Sequence, residues 1–205
     1  MRPFLLYMEI VFATQNPHKL EEISALLGEG FHLMGLNELD IHEDIPEDHL
    51  TLQENASQKA WYIYDRTGLS CFADDTGLEV DALHGAPGVF SARYSRMGHP
   101  TFPHMEAAEG NIRKLLMELK GKKERSARFR TVIALVLEGK EYQFEGVIEG
   151  WITESASGAM GFGYDPVFRP QGHALTFAEM DLELKNKISH RAKAVQQLVQ
   201  MLRGM

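Results

Sequence analysis

A single cysteine, Cys71, excludes an internal disulfide and cannot by itself build a thiolate metal site. That scarcity favours a reducing compartment, and a cytoplasmic location is expected. Positive charge is also short: 21 lysines and arginines stand against 29 aspartates and glutamates, a formal net charge of -8. Such a balance argues against a protein that coats nucleic acid, so no nucleic-acid partner is expected and any phosphate must be met by a local basic pocket. Long apolar runs are missing too. The opening "MRPFLLYMEIVFA" is too short for a membrane span and leads into what reads as a core strand, so neither a targeting segment nor a membrane association is expected. The chain also lacks internal repeats, low-complexity tracts and linkers rich in Pro, Gly or Ser, which leaves no obvious domain boundary. What it does have is 44% hydrophobic residues over 205 positions, enough to bury a substantial core in one domain, or in one domain with a smaller lobe, without disulfides.

Hydrophobic periodicity divides the chain into alternating strands and helices. "MEIVFAT" reads as a buried strand, followed by a helix in "NPHKLEEISALLG" with Asn16 as cap, Pro17 in the first turn, Leu20, Ile23 and Leu27 on one face and Gly28 as stop. Thr51 and Glu54 have capping-box spacing at the head of a second helix reaching about Arg66, whose Leu52, Ala56, Ala60 and Ile63 share a side. "LSCFA" and "LEVDAL" read as strands on either side of a turn at the aspartates. A helix near Met105 to Leu119 precedes a long hairpin turning at Glu138 and Gly139. Helices are then expected around Thr176 to Lys185 and from Ser189 to Arg203, the last with Ala192, Val195, Leu198, Val199 and Leu202 as its stripe. The sum is an α/β protein with a mixed sheet.

Five segments carry chemistry, and each also has a plainer reading. In "TQNPHK", Thr14, Asn16 and Lys19 stand where a strand enters a helix, a place suited to a phosphate chain; without the Walker glycines it is equally a helix cap with a solvated lysine. In "CFADDTG", adjacent Asp74 and Asp75 repel each other unless something cationic is near. They suit Mg²⁺, which binds a few carboxylate oxygens and leaves other positions to water and phosphate, but Asp-Thr-Gly is also an ordinary turn. The acidic run "HEDIPED", with Glu43, Asp44, Glu47 and Asp48, either completes a metal site or is a solvated loop. In "GAPGVFSARYS", Ser91 and Arg93 either face an anion or follow a turn, and in "GFGYDP" the rings of Phe162 and Tyr164 either stack on a purine or pack in a core. The fifth, "LKNKISHR", places His190 and Arg191 in the first turn of a helix, where cations are unfavourable unless an anion or a base carbonyl is close.

Taken in this order, "FATQNPHK", "TLQENASQKA", "FADDTGLEVDALHGAPGVFSARYS", "GFGYDPVF" and "ISHRAKA" resemble the inosine triphosphate pyrophosphatase family over Met8 to Leu202. That resemblance implies an elongated α/β fold, one domain over 1–205 with two lobes around a long mixed sheet and the nucleotide in the cleft between them, usually as a homodimer. It implies Mg²⁺-dependent hydrolysis of non-standard purine nucleoside triphosphates (ITP, dITP, XTP) to the monophosphate and pyrophosphate. By position it implies phosphate contacts from Thr14, Asn16, Lys19 and Lys59, and a proton acceptor and metal ligand in Asp75. Asp74 and Glu47 match acidic metal positions, and Thr76 a substrate contact. Phe162, Gly163, Tyr164 and Asp165 match a base-binding loop, and Lys185, His190 and Arg191 further nucleotide contacts. Asp48 and His49 follow Glu47 where relatives often carry Thr and Gly. Two other functions remain compatible with these residues: a pyrophosphatase for other modified nucleotides, and a non-catalytic nucleotide sensor.

Overall fold

A computed structural model of the protein describes residues 8–98, 101–102 and 104–204. The opening segment before Met8, and parts of the "MGHPTFPH" stretch, lie outside the described residues. The elements run β1 (Met8–Phe12), α1 (Pro17–Leu27), β2 (Phe31–Met34), α2 (Leu52–Thr67), β3 (Cys71–Val80), β4 (Pro87–Gly88), α3 (Ala107–Glu118), β5 (Ser126–Leu137), β6 (Lys140–Ile152), β7 (Phe168–Pro170), α4 (Leu182–Ile188) and α5 (His190–Arg203). This is a mixed α/β fold built on one long sheet, ordered β2-β1-β3-β5-β6-β7 with β4 paired to β3. β1 is parallel to both β2 and β3, whereas β4 pairs with β3, and β7 with β6, in the antiparallel sense.

The chain forms two compact units: one holds the chain up to Asp75, Thr131–Gly146 and the chain from Arg191; the other holds Thr76–Arg130 and Val147–His190. In the first unit, the apolar stripes expected from sequence close a core. Ile23 and Leu27 of α1 and Val195, Leu198 and Leu202 of α5, joined by Ala194, which lay outside the expected stripe, pack with Ile10, Phe12, Phe72, Ile133 and Leu135. Phe12 and Phe72 are register partners across β1 and β3, and their rings stack at 4.7 Å. Each such fully buried side chain contributes about 1.5–3 kcal/mol relative to exposure. In the second unit, Leu115 and Leu119, at the end of α3, pack with Leu78, Val80, Phe129, Ile152, Phe168 and Phe177.

Local chemistry explains the ends of the elements. Asn16 caps α1 by accepting from the amides of His18 and Lys19, and Thr51 caps α2 through the Glu54 amide. The β5–β6 hairpin turns at Glu138 and Gly139, both with positive φ, 50° and 75°, as a two-residue loop of this hand requires.

Two expectations need correction, and one strand was not foreseen. β3 runs unbroken through Asp74, Asp75, Thr76 and Gly77, so there is no hairpin turn at the aspartates. Gly77 is demanded by contact instead: a Cβ there would stand 2.7 Å from the Gly88 carbonyl oxygen on the neighbouring β4. The helix expected at Thr176 to Lys185 is a short 3-10 turn, Phe177–Glu179, followed by α4, because Asp181 restarts the chain by capping the Leu184 amide. The short β2 carries no clear alternation and was not anticipated from sequence.

Cys71 is fully buried, its thiol donating to the Ala60 carbonyl at 3.1 Å, and burial pushes it up to about 12. A disulfide reagent at pH 8 is therefore expected to label the native protein at least ~100-fold more slowly than the urea-unfolded chain, because only thiolate reacts. Comparable labelling rates in the two states would contradict this placement. Folding favours the protonated thiol, so its contribution to stability is intact below the unfolded thiol's value near 9.0 and is lost as pH rises towards about 12.

Candidate functional site

In the first unit, the acidic loop and four elements, α1, α2, β3 and α5, bring charges together. The carboxyl ends of parallel strands are where α/β proteins gather their ligand-binding loops, and Thr14 to Lys19 follow directly on the end of β1. Thr14 Oγ1 accepts from the Asn16 amide at 3.2 Å, and Asn16 Oδ1 is spent on the cap of α1. Lys19 then reaches from the first turn of α1 to Asp74, with Nζ 2.8 Å from Oδ1.

Successive residues of a strand face opposite sides of a sheet, and the partners of Asp74 and Asp75 divide accordingly. Asp74 meets α1 and α5: Lys19 on one oxygen, and Arg191 at 3.4 Å on the other. Asp75 meets α2: Asn55 Nδ2 lies 3.2 Å from Oδ2 and Lys59 Nζ 3.6 Å from Oδ1. Glu47 joins from the acidic loop, its Oε1 2.5 Å from the same Lys59 nitrogen. So the two adjacent aspartates do not form one doubled ligand. Asp74 is an ion-pair hub for Lys19 and Arg191, while Asp75 and Glu47 are the carboxylates that converge on a single cationic point. Among the described residues, no group of three or more His, Cys, Asp or Glu side chains is arranged as metal donors.

The electrostatics follow from this partition. Burial works against the ionised form of Asp74, but Lys19, Arg191 and Lys59 outweigh it and hold the carboxyl well below the usual range. For Asp75 burial wins over Lys59 and Lys19, and with Glu47 nearby its carboxyl is raised. Burial also opposes the charge on Lys59, yet Asp75, Glu47 and Asp74 together raise it, whereas burial, with Lys59 and Arg191 close by, lowers Lys19 despite Asp74.

Arg191 is 2% exposed and lies in the first turn of α5, the position that the helix dipole disfavours. Its guanidinium is held by two carboxylates, Asp74 and the buried Glu22 of α1. Sequence reading missed Glu22. Its signal was the spacing Lys19, Glu22, Ile23, which puts a carboxylate beside the buried stripe of α1.

In the second unit, the "GFGYDP" loop is closed by Asp165, whose Oδ2 accepts from the Phe162 amide at 2.8 Å and from Lys185 Nζ at 2.7 Å. A Cβ on Gly161, whose φ is +74°, would sit 2.1 Å from that oxygen, so glycine is required there. Gly163 also has positive φ, 61°. The Lys185 nitrogen lies 5.0 Å from the centroid of the half-buried Phe162 ring. Tyr164 does not offer its ring to a ligand, which corrects its reading as a stacking platform: it is buried, and its hydroxyl donates to the Ser91 carbonyl at 2.9 Å. His190 is buried with its ring stacked on Phe129 at 4.6 Å. Thr76, half-buried, follows Asp75 on β3. Ser91 is structural, donating to the Gly88 carbonyl and accepting from the Leu78 amide, and Arg93 lies half-buried over Phe90.

Comparison with known proteins places this chain among close relatives. Residues 10–201 match the Ham1 family. The chain is 54% identical over 191 residues to a dITP/XTP pyrophosphatase of Porphyromonas gingivalis, covering 93% of this chain and 95% of that protein. It is 49% identical over 195 residues to a dITP/XTP pyrophosphatase of Flavobacterium johnsoniae, covering 95% and 98% respectively. Among solved structures, a HAM1 protein from Coxiella burnetii aligns with a TM-score of 0.84 at 39% identity, over 97% of this chain and all 100% of that one.

Proposed function

The chain belongs to the Ham1 family, and from that membership and the charge geometry we propose that it hydrolyses non-standard purine nucleoside triphosphates, ITP, dITP and XTP, to the monophosphate and pyrophosphate. The observation that carries this reading is the set of three cations, half-buried Lys19 and buried Lys59 and Arg191, ordered by Asp74, Asp75 and Glu47. Cations held in place before substrate arrives suit a polyanion whose charge must be neutralised during cleavage.

Lys19 and Lys59 receive the phosphate chain, with Thr14 and Asn16 shaping the loop beside it. Asp75 accepts the proton of the attacking water: the water oxygen bonds to phosphorus, the bridge between the α and β phosphates opens, and pyrophosphate leaves. Burial raises that carboxyl, the direction a proton acceptor needs. The donor chemistry fits Mg²⁺, since Glu47 and Asp75 supply two hard oxygens around one cationic point, and this ion takes one or two carboxylates and completes its shell with phosphate and water. When bound, Mg²⁺ neutralises charge on the phosphates. Asp74 serves that site indirectly, by orienting Lys19 and Arg191.

Base recognition falls to the "GFGYDP" loop and the side chains beside it. Phe162 offers an aromatic face, and Lys185, Thr76 and His190 are the side chains assigned to the nucleotide, with Gly163 and Tyr164 contributing backbone and Asp165 fixing the loop. Lysine donates hydrogen bonds and never accepts them, so it favours the C6 oxygen of hypoxanthine or xanthine over the amino group of adenine. The protein acts as a homodimer in the cytoplasm, without a nucleic-acid partner; the scarcity of cysteine, with Cys71 alone, supports the compartment. Among the described residues, no helix is long and apolar enough to cross a membrane.

Pyrophosphate release from ITP, XTP, dITP, ATP and GTP, each with and without Mg²⁺, tests the reading. The first three are expected to exceed ATP by at least ~100-fold in kcat/KM, because a mismatched donor leaves buried groups unpaired, and chelation of the metal should stop turnover. Equal turnover of all five, or none, would move the assignment to another pyrophosphatase or to a sensor.

A further inference from the structure

Two amide side chains of α2 have no place in the chemistry above, yet both reach the segment that carries Glu47. Asn55 is 1% exposed. Its Nδ2 donates to Asp75 Oδ2 at 3.2 Å and to the His49 carbonyl at 3.3 Å, while its Oδ1 accepts from the His49 amide at 2.9 Å. Gln58, three residues on and so on the same side of the helix, makes a second closed pair: Oε1 accepts from the Asp48 amide at 3.1 Å and Nε2 donates to Asp48 Oδ2 at 3.0 Å. Residues 47, 48 and 49 are therefore held in turn by Lys59, Gln58 and Asn55, all from one helix.

This arrangement bears on the reaction in two ways. First, an irregular segment left to itself would have to be ordered when substrate binds, at a cost of about 1–2 kcal/mol for each residue fixed. Bonding both backbone groups of His49 and the amide of Asp48 in advance removes most of that cost. Second, Asn55 engages one oxygen of Asp75, which turns the other, Oδ1, towards Lys59 and thus towards the point that Glu47 shares. A single side chain thereby orients the Asp75 carboxylate and anchors the loop of its partner. Asp48 acquires a reason: its carboxylate completes the pair with Gln58.

We propose that Asn55, seconded by Gln58, is a positioning residue that keeps Glu47 and Asp75 in register as a preformed pair of oxygen donors. The inference rests on the hydrolytic reading given above. Its test compares the native protein with Asn55→Ala and Gln58→Ala by three measurements: amide hydrogen exchange across residues 47–50 without nucleotide or metal, kcat and KM for ITP at saturating Mg²⁺, and thermal unfolding. Alanine preserves the helix, and Gln58 lies at its partly exposed edge, so the second variant is expected to fold even if the first does not. The His49 amide should exchange at least ~10-fold faster in Asn55→Ala, and the Asp48 amide likewise in Gln58→Ala. Misplaced catalytic groups lower turnover more than binding, so kcat should fall by about 30-fold or more in the first variant and about threefold or more in the second, with KM within about threefold of native. Turnover by Gln58→Ala indistinguishable from native, unchanged exchange at both amides, or a loss confined to KM would each overturn the proposal. A native protein that hydrolyses none of the nucleotides would instead overturn the hydrolytic reading.

Discussion

Asp75→Asn is expected to reduce kcat for ITP by about 10³-fold or more while leaving KM within roughly threefold, because the change removes the proton acceptor and keeps the shape. The neutral amide retains an oxygen that can accept from Asn55, and Lys59 keeps Glu47 as a partner. Folding should therefore survive: a buried carboxylate is a costly group, and replacing it by a neutral isostere commonly leaves stability unchanged or improved at a functional site. The outcome separates two roles for this residue. A loss of kcat with an unfolding midpoint within a few degrees of native places Asp75 in the chemistry. A loss that follows a collapse in stability would show that the carboxylate holds Lys59 and the acidic loop together and does no more. Lys59→Met is the natural companion, since it removes the shared cation and leaves Glu47 and Asp75 to repel each other.

Much of this arrangement was legible in the sequence, and the parts that were not share a cause. The caps at Asn16 and Thr51, the stripes of α1, α2 and α5, and the turn at Glu138 and Gly139 depend on residues within one or two turns of each other, and all stand as read. The aspartate pair was visible as a pair. Its division between two faces was not, because Asp-Thr-Gly has the composition of a turn, whereas the strand continues there through the packing of Gly77 against Gly88. Glu22 and Asn55 were missed for a related reason. Each is one polar residue on a mostly apolar helix face, and its meaning comes from a partner 169 residues away for Glu22 and 20 away for Asn55. A local signal existed in both cases. Glu22 is three residues from Lys19, and Asn55 four from Lys59, so each shares a face with a lysine already singled out.

The breach of the dipole rule at the head of α5 leads to the second large effect. Arg191→Met should cost about 3–5 kcal/mol, because it strips a buried guanidinium from Glu22 and Asp74 and leaves carboxylates without compensation. For a chain of this length that corresponds to a fall in Tm of roughly 6–20 °C. The double variant Arg191→Met with Glu22→Leu should recover a good part of the loss, since an apolar pair of similar volume replaces the ion pair and Asp74 still has Lys19. Recovery of stability without recovery of turnover would then show that the arginine is retained for what it does to the nucleotide, and that Glu22 is retained to keep it ionised and aimed. If Arg191→Met unfolds within about 2 °C of native, the guanidinium is not desolvated as the structure has it, and its place in the charge cluster must be redrawn.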